Sequence, residues 1–194
     1  MNHFYFSIPG WFGFEDIYRE AVDRYDGIFV EVGAWKGRST AFLAVTAIRS
    51  GKPIDIHVVD TFEGSDEEAH RADPDIGDLR AVFECNVAPV RHRLTVWQMR
   101  SVAAAALFDD ASLDFVLLDG AHDHDSVRAD IAAWLPKIRP GGWLCGDDID
   151  WGTDRPVRRA VDAMLPGWER RGCAWSFEVQ ERAPAITGAN RKEG

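Results

Sequence analysis

Hydrophobic and polar positions along the chain fall into blocks that switch between two periods. Gly27–Val32 (GIFVEV) is a short apolar run that ends in a glycine-rich turn, the pattern of a strand buried on both faces. Residues 38–50 place Phe42, Leu43, Ala47 and Ile48 at helical spacing and stop at Ser50-Gly51-Lys52-Pro53. Ile54–Asp60 (IDIHVVD) predicts a second strand, and the acidic, Pro- and Gly-punctuated residues 61–76 predict a loop or lid. A helix over 77–88, a strand over Leu94–Trp97 and a short Ala-rich helix over Val102–Phe108 follow. Leu113–Asp119 (LDFVLLD) carries the clearest strand pattern. Val127, Ile131, Leu135 and Ile138 share one face of a helix expected over 124–138, ended by Pro140-Gly141-Gly142. Trp143–Asp147 predicts another strand, 154–165 a helix, and the segments around 168–171 and 174–180 a terminal strand pair. The polar tail from 181 is expected to be flexible.

Strands that alternate with helices of this length imply βαβ units: an α/β, doubly wound, Rossmann-like and mainly parallel sheet with helices on both faces. A single domain over residues 1–180, followed by the tail 181–194, accommodates all of these elements. Ligands of such sheets bind outside the carboxyl ends of the strands. Each polar cluster of note lies at one of those ends.

Glu31-Val-Gly33-Ala-Trp-Lys-Gly37 follows the first strand and opens the first of these helices. Glycines here let the backbone turn and approach a ligand, and the helix start offers free N–H groups. The spacing E-x-G-x-x-x-G matches neither the dinucleotide fingerprint nor the phosphate-binding loop. A carboxylate at Glu31 repels phosphate and suits a cationic ligand; a tight turn without a ligand is the alternative. Asp60, closing VVD, can accept hydrogen bonds from ribose hydroxyls, or simply cap its strand. Asp119 and the pair Asp147-Asp148 end consecutive strands and are expected to converge. Such carboxylates repel one another unless a cation or protons sit among them, and oxygen ligands suit Mg²⁺ or another hard divalent ion. The alternative is that Asp147 and Asp148 cap the following turn. His122 stands three residues past Asp119, where a neutral imidazole can take a proton from a hydroxyl; ordering the loop is its simpler role. The run His122-Asp123-His124-Asp125 invites a metallohydrolase reading, but Ser126 stands where a further histidine is needed. His124 begins the next helix in this reading, with Asp123 or Asp125 as its cap.

Together GWFGFEDIY, EVGAWKGRST, VVDTFEGS, LDFVLLDGAHDHDSV, DIAAWLPKIRPGG and GDD resemble the class I S-adenosylmethionine-dependent methyltransferases. The likeness is nearest to the compact bacterial O-methyltransferases of macrolide sugars and cephalosporins, and runs from about Gly10 to Trp151. It implies a seven-stranded sheet whose last strand is antiparallel. Glu31, Gly33, Gly37 and Ser39 would hold the methionine end of the cofactor, with Asp60 and Thr61 at its ribose. Phe62 would flank the adenosine, and the stretch Gln98–Ser101, with Met99 and Ser101, would lie by the adenine. Asp119 would serve both cofactor and catalysis, His122 would act as general base, and Asp119, Asp147 and Asp148 would hold the metal. With little chain ahead of the first strand, residues 61–76, the GWFGF segment or a neighbouring subunit of a homo-oligomer would form the lid.

Composition narrows the remaining classes. Of 194 residues, 46% are hydrophobic and 28% charged, enough apolar area for a full core. Acids outnumber bases by 32 to 22, a net charge of −10 that a nucleic-acid backbone repels. Cys85, Cys145 and Cys173 show no metal or disulfide spacing and read as core thiols in a reducing compartment. Without a bilayer-length apolar run or a cationic leader pattern, the expectation is a cytoplasmic protein with no membrane or nucleic-acid partner. Trp11, Trp35, Trp97 and Trp151 fall near the expected active edge, suiting a planar or apolar small-molecule acceptor, whereas Trp134 and Trp143 read as core. The expected activity is metal-assisted methylation of a hydroxyl oxygen. Its rivals are a cofactor-binding protein without transferase activity and a nicotinamide-dependent oxidoreductase, the latter disfavoured by the missing dinucleotide fingerprint.

Overall fold

A computed structural model describes residues 1–65 and 67–180. Its strands are β1 (Ile28–Val32), β2 (Asp55–Asp60), β3 (Leu94–Gln98), β4 (Leu113–Leu118), β5 (Ile138–Gly146), β6 (Glu169–Arg171) and β7 (Ala174–Glu178). They form one seven-stranded sheet in the order β3-β2-β1-β4-β5-β7-β6. The first five run parallel, and β7 lies antiparallel to both β5 and β6. The expected calls for the tail from 181 lie outside the described residues.

Strand alternation splits the core in two. Phe29, Phe115 and Leu117 face one side, under helices α1 (Glu15–Arg24), α2 (Arg38–Ser50) and α4 (Leu79–Val87). Val30, Val32, Val116 and Leu118 face the other, under α5 (Ser101–Ala105), α6 (His124–Trp134) and α7 (Pro156–Met164). Helices therefore cover both faces. Gly37 (φ +88°) and Gly51 (φ +71°) bracket α2 in left-handed conformations that glycine adopts without strain. Asp123 caps α6, its carboxylate accepting from the amides of Asp125 at 3.1 Å and Ser126 at 3.0 Å.

Several elements differ from the sequence reading. Helix α1 was not among the predicted elements; it buries Ile17, Tyr18, Ala21 and Val22 against the sheet. The helix expected over 124–138 stops at Trp134, where Leu135-Pro136-Lys137 forms a 3₁₀ turn. Pro136 has no N–H to continue the helical ladder. Pro140-Gly141-Gly142 then lies inside β5, where the pairing with β4 is irregular between Leu113 and Phe115. Gly141 and Gly142 bond there to Val179, beyond the end of β7. No helix among the described residues is long and apolar enough to cross a membrane.

Candidate active site

The strand order reverses between β1 and β4, so the loops after them diverge and leave a crevice. A cleft of about 1440 Å³ opens there, larger than one small ligand needs. Its floor is the contact between two backbones. Gly33 has φ +86°, and a Cβ on it would lie 1.9 Å from the Asp119 carbonyl oxygen. Only glycine lets β1 and β4 meet this closely.

Asp60 ties the next wall together. Its Oδ2 accepts from the amides of Ala34 at 2.7 Å and Trp35 at 3.0 Å, and its Oδ1 accepts from Phe62 N at 2.7 Å. A carboxylate offers about four accepting positions, so one remains for a ligand hydroxyl. Gly33, Asp60, Thr61, Met99, Ser101 and Asp119, all expected at the cofactor, line this cleft.

Glu31, Gly37, Ser39 and Phe62 do not line it, and their surroundings explain why. Alternation along β1 turns Glu31 to the α1/α2 side, where it is fully buried. Tyr18 Oη donates to its Oε1 at 2.6 Å, and Thr40 Oγ1 donates to its Oε2. Burial raises its pKa while the hydrogen bonds from Thr40, Tyr18 and Ser39 oppose the rise. Ser39 is buried in the first turn of α2. Gly37 packs on α4, where a Cβ would come within 2.7 Å of Val87. Phe62 lies against Phe83 and under the Arg80 guanidinium. These residues shape the turn from beneath.

At the other end of the cleft Asp119, His122 and Asp148 bring one ligand atom each within 4.8 Å of one another. His122 Nε2 stands 3.1 Å from Asp148 Oδ2 and 3.6 Å from Asp119 Oδ1, yet is buried without a hydrogen-bond partner among the described residues. Its Nδ1 lies 3.0 Å from Glu67 Oε1. Burial pushes the Asp119 carboxyl up to about 7 despite the neighbouring imidazole. Burial alone would lower the His122 pKa, but Asp119, Asp148 and Glu67 outweigh it and raise it to about 9. The imidazole is thus charged at neutral pH in this setting, where the sequence reading expects it neutral.

Asp147 is not in this trio. Successive residues leaving a strand point to opposite sides, and Asp148 turns further by adopting φ +58°. Asp147 lines a small cavity of about 10 Å³ with His122, Trp175 and Val157, its Oδ1 unpartnered among the described residues. It also adds to the burial that pushes the Cys173 thiol up to about 12. The structure thus puts His122 where the sequence reading places Asp147.

Residues 61–65 and 67–78 border the cleft as a strap that includes α3 (Glu68–Arg71). Lys36 Nζ anchors one end, at 2.7 Å from both Asp73 and Asp75. The His70 ring stacks on Trp35 at 4.0 Å, and Trp11 packs at a tilt against both. Glu67 reaches His122. Sequence reasoning missed Glu67, for which the only available signal was membership of an acidic loop. Trp35 and Trp151 line the cleft, the latter 5.4 Å from His122, whereas Trp97 packs against His57 away from it. Trp134 and Trp143 are core residues.

The lining holds Asp60, Glu63, Glu67, Glu68, Asp119, Asp123 and Asp130 against Arg71 and Arg100. An acid-rich cleft of this shape suits a cationic nucleoside such as S-adenosylmethionine and disfavours a pyrophosphate. The sheet order, with its crevice between β1 and β4, is that of the class I methyltransferase fold. A family model described as a methyltransferase domain matches residues 30–149, and the chain belongs to that family. The structure of the O-methyltransferase NovP superposes with TM-score 0.63 at 15% identity, covering 86% of this chain and 79% of that one. The apo structure of CalS11, a TDP-rhamnose 3'-O-methyltransferase of calicheamicin biosynthesis, gives 0.54 at 17% identity over 84% and 76%. The precorrin-8w decarboxylase of Methanobacterium thermoautotrophicum gives 0.55 at 17% over 84% and 76%. At these identities the likeness is one of fold.

Proposed function

We propose that this methyltransferase transfers the methyl group of S-adenosylmethionine to a hydroxyl oxygen of a small molecule, with a divalent cation assisting, in one catalytic domain over residues 1–180. The observation that carries the reading is the Asp119–His122–Asp148 trio, of which Asp119 and His122 line the same cleft as Gly33 and Asp60. When bound, S-adenosylmethionine supplies an electrophilic methyl group for in-line displacement. Asp60 offers its remaining accepting position to a ribose hydroxyl, and the acid-rich lining favours the sulfonium charge. Asp119 and Asp148 would hold the cation, a hard divalent ion such as Mg²⁺ by their oxygen chemistry, leaving the imidazole of His122 free to act as base. Its charge would acidify the acceptor hydroxyl.

His122 takes the hydroxyl proton at Nε2 while Glu67 holds Nδ1. In the carboxylate setting alone the imidazole already carries its proton. The positive charge of a divalent ion held by Asp119 and Asp148 would offset their pull on His122 and favour the neutral imidazole a base needs. The strap keeps water from the reacting oxygen, and Trp35 and Trp151 offer flat apolar faces to the acceptor.

Divalent ions test this reading first without an acceptor. Mg²⁺ or Mn²⁺ should raise the melting temperature by mass action, and Asp148→Asn should blunt the rise. On a panel of hydroxyl acceptors, EDTA should abolish transfer while leaving S-adenosylhomocysteine binding intact. His122→Ala should lower turnover and keep the metal response. Turnover that survives both EDTA and Asp148→Asn would remove the cation from the mechanism, and transfer to amines alone would remove the hydroxyl.

A further inference from the structure

Trp11 has no part in the chemistry above and does not line the cleft, yet the chain holds it at the rim. It is 66% exposed, in the segment that precedes α1. Two fixtures place it there. Gly10 adopts φ +130°, and a Cβ on it would meet Trp35 Cδ1 at 3.2 Å, so glycine lets the segment lie close against Trp35. Arg38 Nη1 donates to the Gly10 carbonyl at 2.8 Å, which ties the segment to the first turn of α2.

The indole continues an aromatic surface that begins inside the cleft. Trp35 and His70 both line the cleft, and their rings stack with 4.0 Å between centroids and 18° between planes. The Trp11 centroid lies 6.5 Å from that of Trp35 and 5.7 Å from that of His70. Ser65 Oγ stands 2.7 Å from His70 Nδ1 and holds the imidazole in place. Burial lowers the His70 pKa, so this ring is uncharged at neutral pH and presents a flat face. The shelf is set back from the reacting end. Glu67, which reaches His122 at 3.0 Å, and His70 are three residues apart on the strap, roughly 4.5 Å of helical rise. A single ring over the Asp119–His122–Asp148 trio stops short of Trp11, whereas a fused system running along the strap meets it.

Resting on the acceptor reading above, we propose that Trp11 forms a second acceptor subsite at the rim, which selects acceptors whose reacting hydroxyl belongs to a flat system of two or three fused rings over single-ring ones. Covering an exposed indole with a flat ring buries apolar surface on both and adds a ring–ring contact, while no polar group of either is desolvated.

The test is calorimetry on the full chain loaded with S-adenosylhomocysteine and Mg²⁺. Catechol, naphthalene-2,3-diol and anthracene-2,3-diol serve as probes, sharing one vicinal diol and differing in ring count. Affinity for the wild type should rise with ring count. Trp11→Ala should lower the ratio of three-ring to one-ring affinity by roughly tenfold, the scale of one lost aromatic contact. Trp11→Phe, which keeps a flat ring, should lower it by less than about threefold. Because Trp11 is mostly exposed, neither change opens the core. Absence of binding by all three probes, or the same ratio in the wild type and Trp11→Ala, overturns the assignment and leaves the methyltransferase reading in place. An unchanged ratio with altered sedimentation of Trp11→Ala gives the ring to a contact between copies of the chain and overturns it equally. Failure of S-adenosylhomocysteine to bind the wild type overturns the cofactor reading itself and this assignment with it.

Discussion

The charge on His122 is measurable as stability. Its folded pKa is raised to about 9, whereas an unfolded chain holds a histidine near ~6.5. A raised imidazole pKa contributes stability that is fully present below the unfolded value and is lost as pH rises through the folded one. Asp119, raised to about 7, acts below the window: its cost builds as pH rises from the unfolded carboxyl value and is complete just above its folded pKa. His3 and His70 are lowered and titrate below the window, while Cys173, raised to about 12, acts near and beyond its upper end. Between about pH 7 and about pH 9, then, His122 dominates the change within this group. The full shift corresponds to roughly 3 kcal/mol, of which roughly 2 kcal/mol falls within that window. Urea unfolding in EDTA at the two ends of the window, for the wild type and His122→Asn, reads this directly. The wild type should lose roughly 2 kcal/mol more than the variant as pH rises, because both share the losses from the raised Cys145 and Cys173 thiols near the upper end. Parallel losses in the two proteins, or a flat wild type, would refute the coupling of His122 to its carboxylates.

Glu31→Gln should cost about 1–3 kcal/mol of stability, because one buried oxygen facing Tyr18 and Thr40 becomes a donor among donors. Urea unfolding measures this, and unchanged stability with lost cofactor affinity would place Glu31 at the ligand after all. Gly33→Ala should reduce stability by about 3 kcal/mol or more, since its Cβ meets backbone at 1.9 Å and its φ is positive; a soluble, equally stable variant would mean the cleft floor is not a close contact. Lys36→Met should leave Asp73 and Asp75 facing each other without their cation and speed proteolysis within residues 61–78; an unchanged cleavage rate would mean that Lys36 does not anchor the strap.

The parallel strands and α2 are legible because a strand buried on both faces is continuously apolar and a helix end needs a terminator. α1 is less so: its apolar stripe of Ile17, Tyr18, Ala21 and Val22 sits within EDIYREAVDR, where charged residues dominate. Pro140-Gly141-Gly142 reads as a helix stop in isolation, and only the partner strands make it a bulge within β5. In the site, Asp119 and Asp148 are legible as strand-end acids. That His122 takes the place of Asp147 depends on which side of the strand each residue leaves from, and on the turn at Asp148. Glu31 is legible as a notable acid, but its seal under Tyr18 and Thr40 depends on α1, whose sequence pattern is weak. Glu67 joins His122 across 55 residues of chain, a distance that no local pattern encodes.

Titration of S-adenosylhomocysteine into the wild type and Asp60→Ala tests the central claim, a cleft built for this cofactor, most directly. The account predicts a micromolar-range Kd, roughly 8 kcal/mol, and a loss of about tenfold or more when Asp60 is removed from an otherwise folded protein. No detectable heat with the wild type, or equal affinity in folded Asp60→Ala, would contradict it.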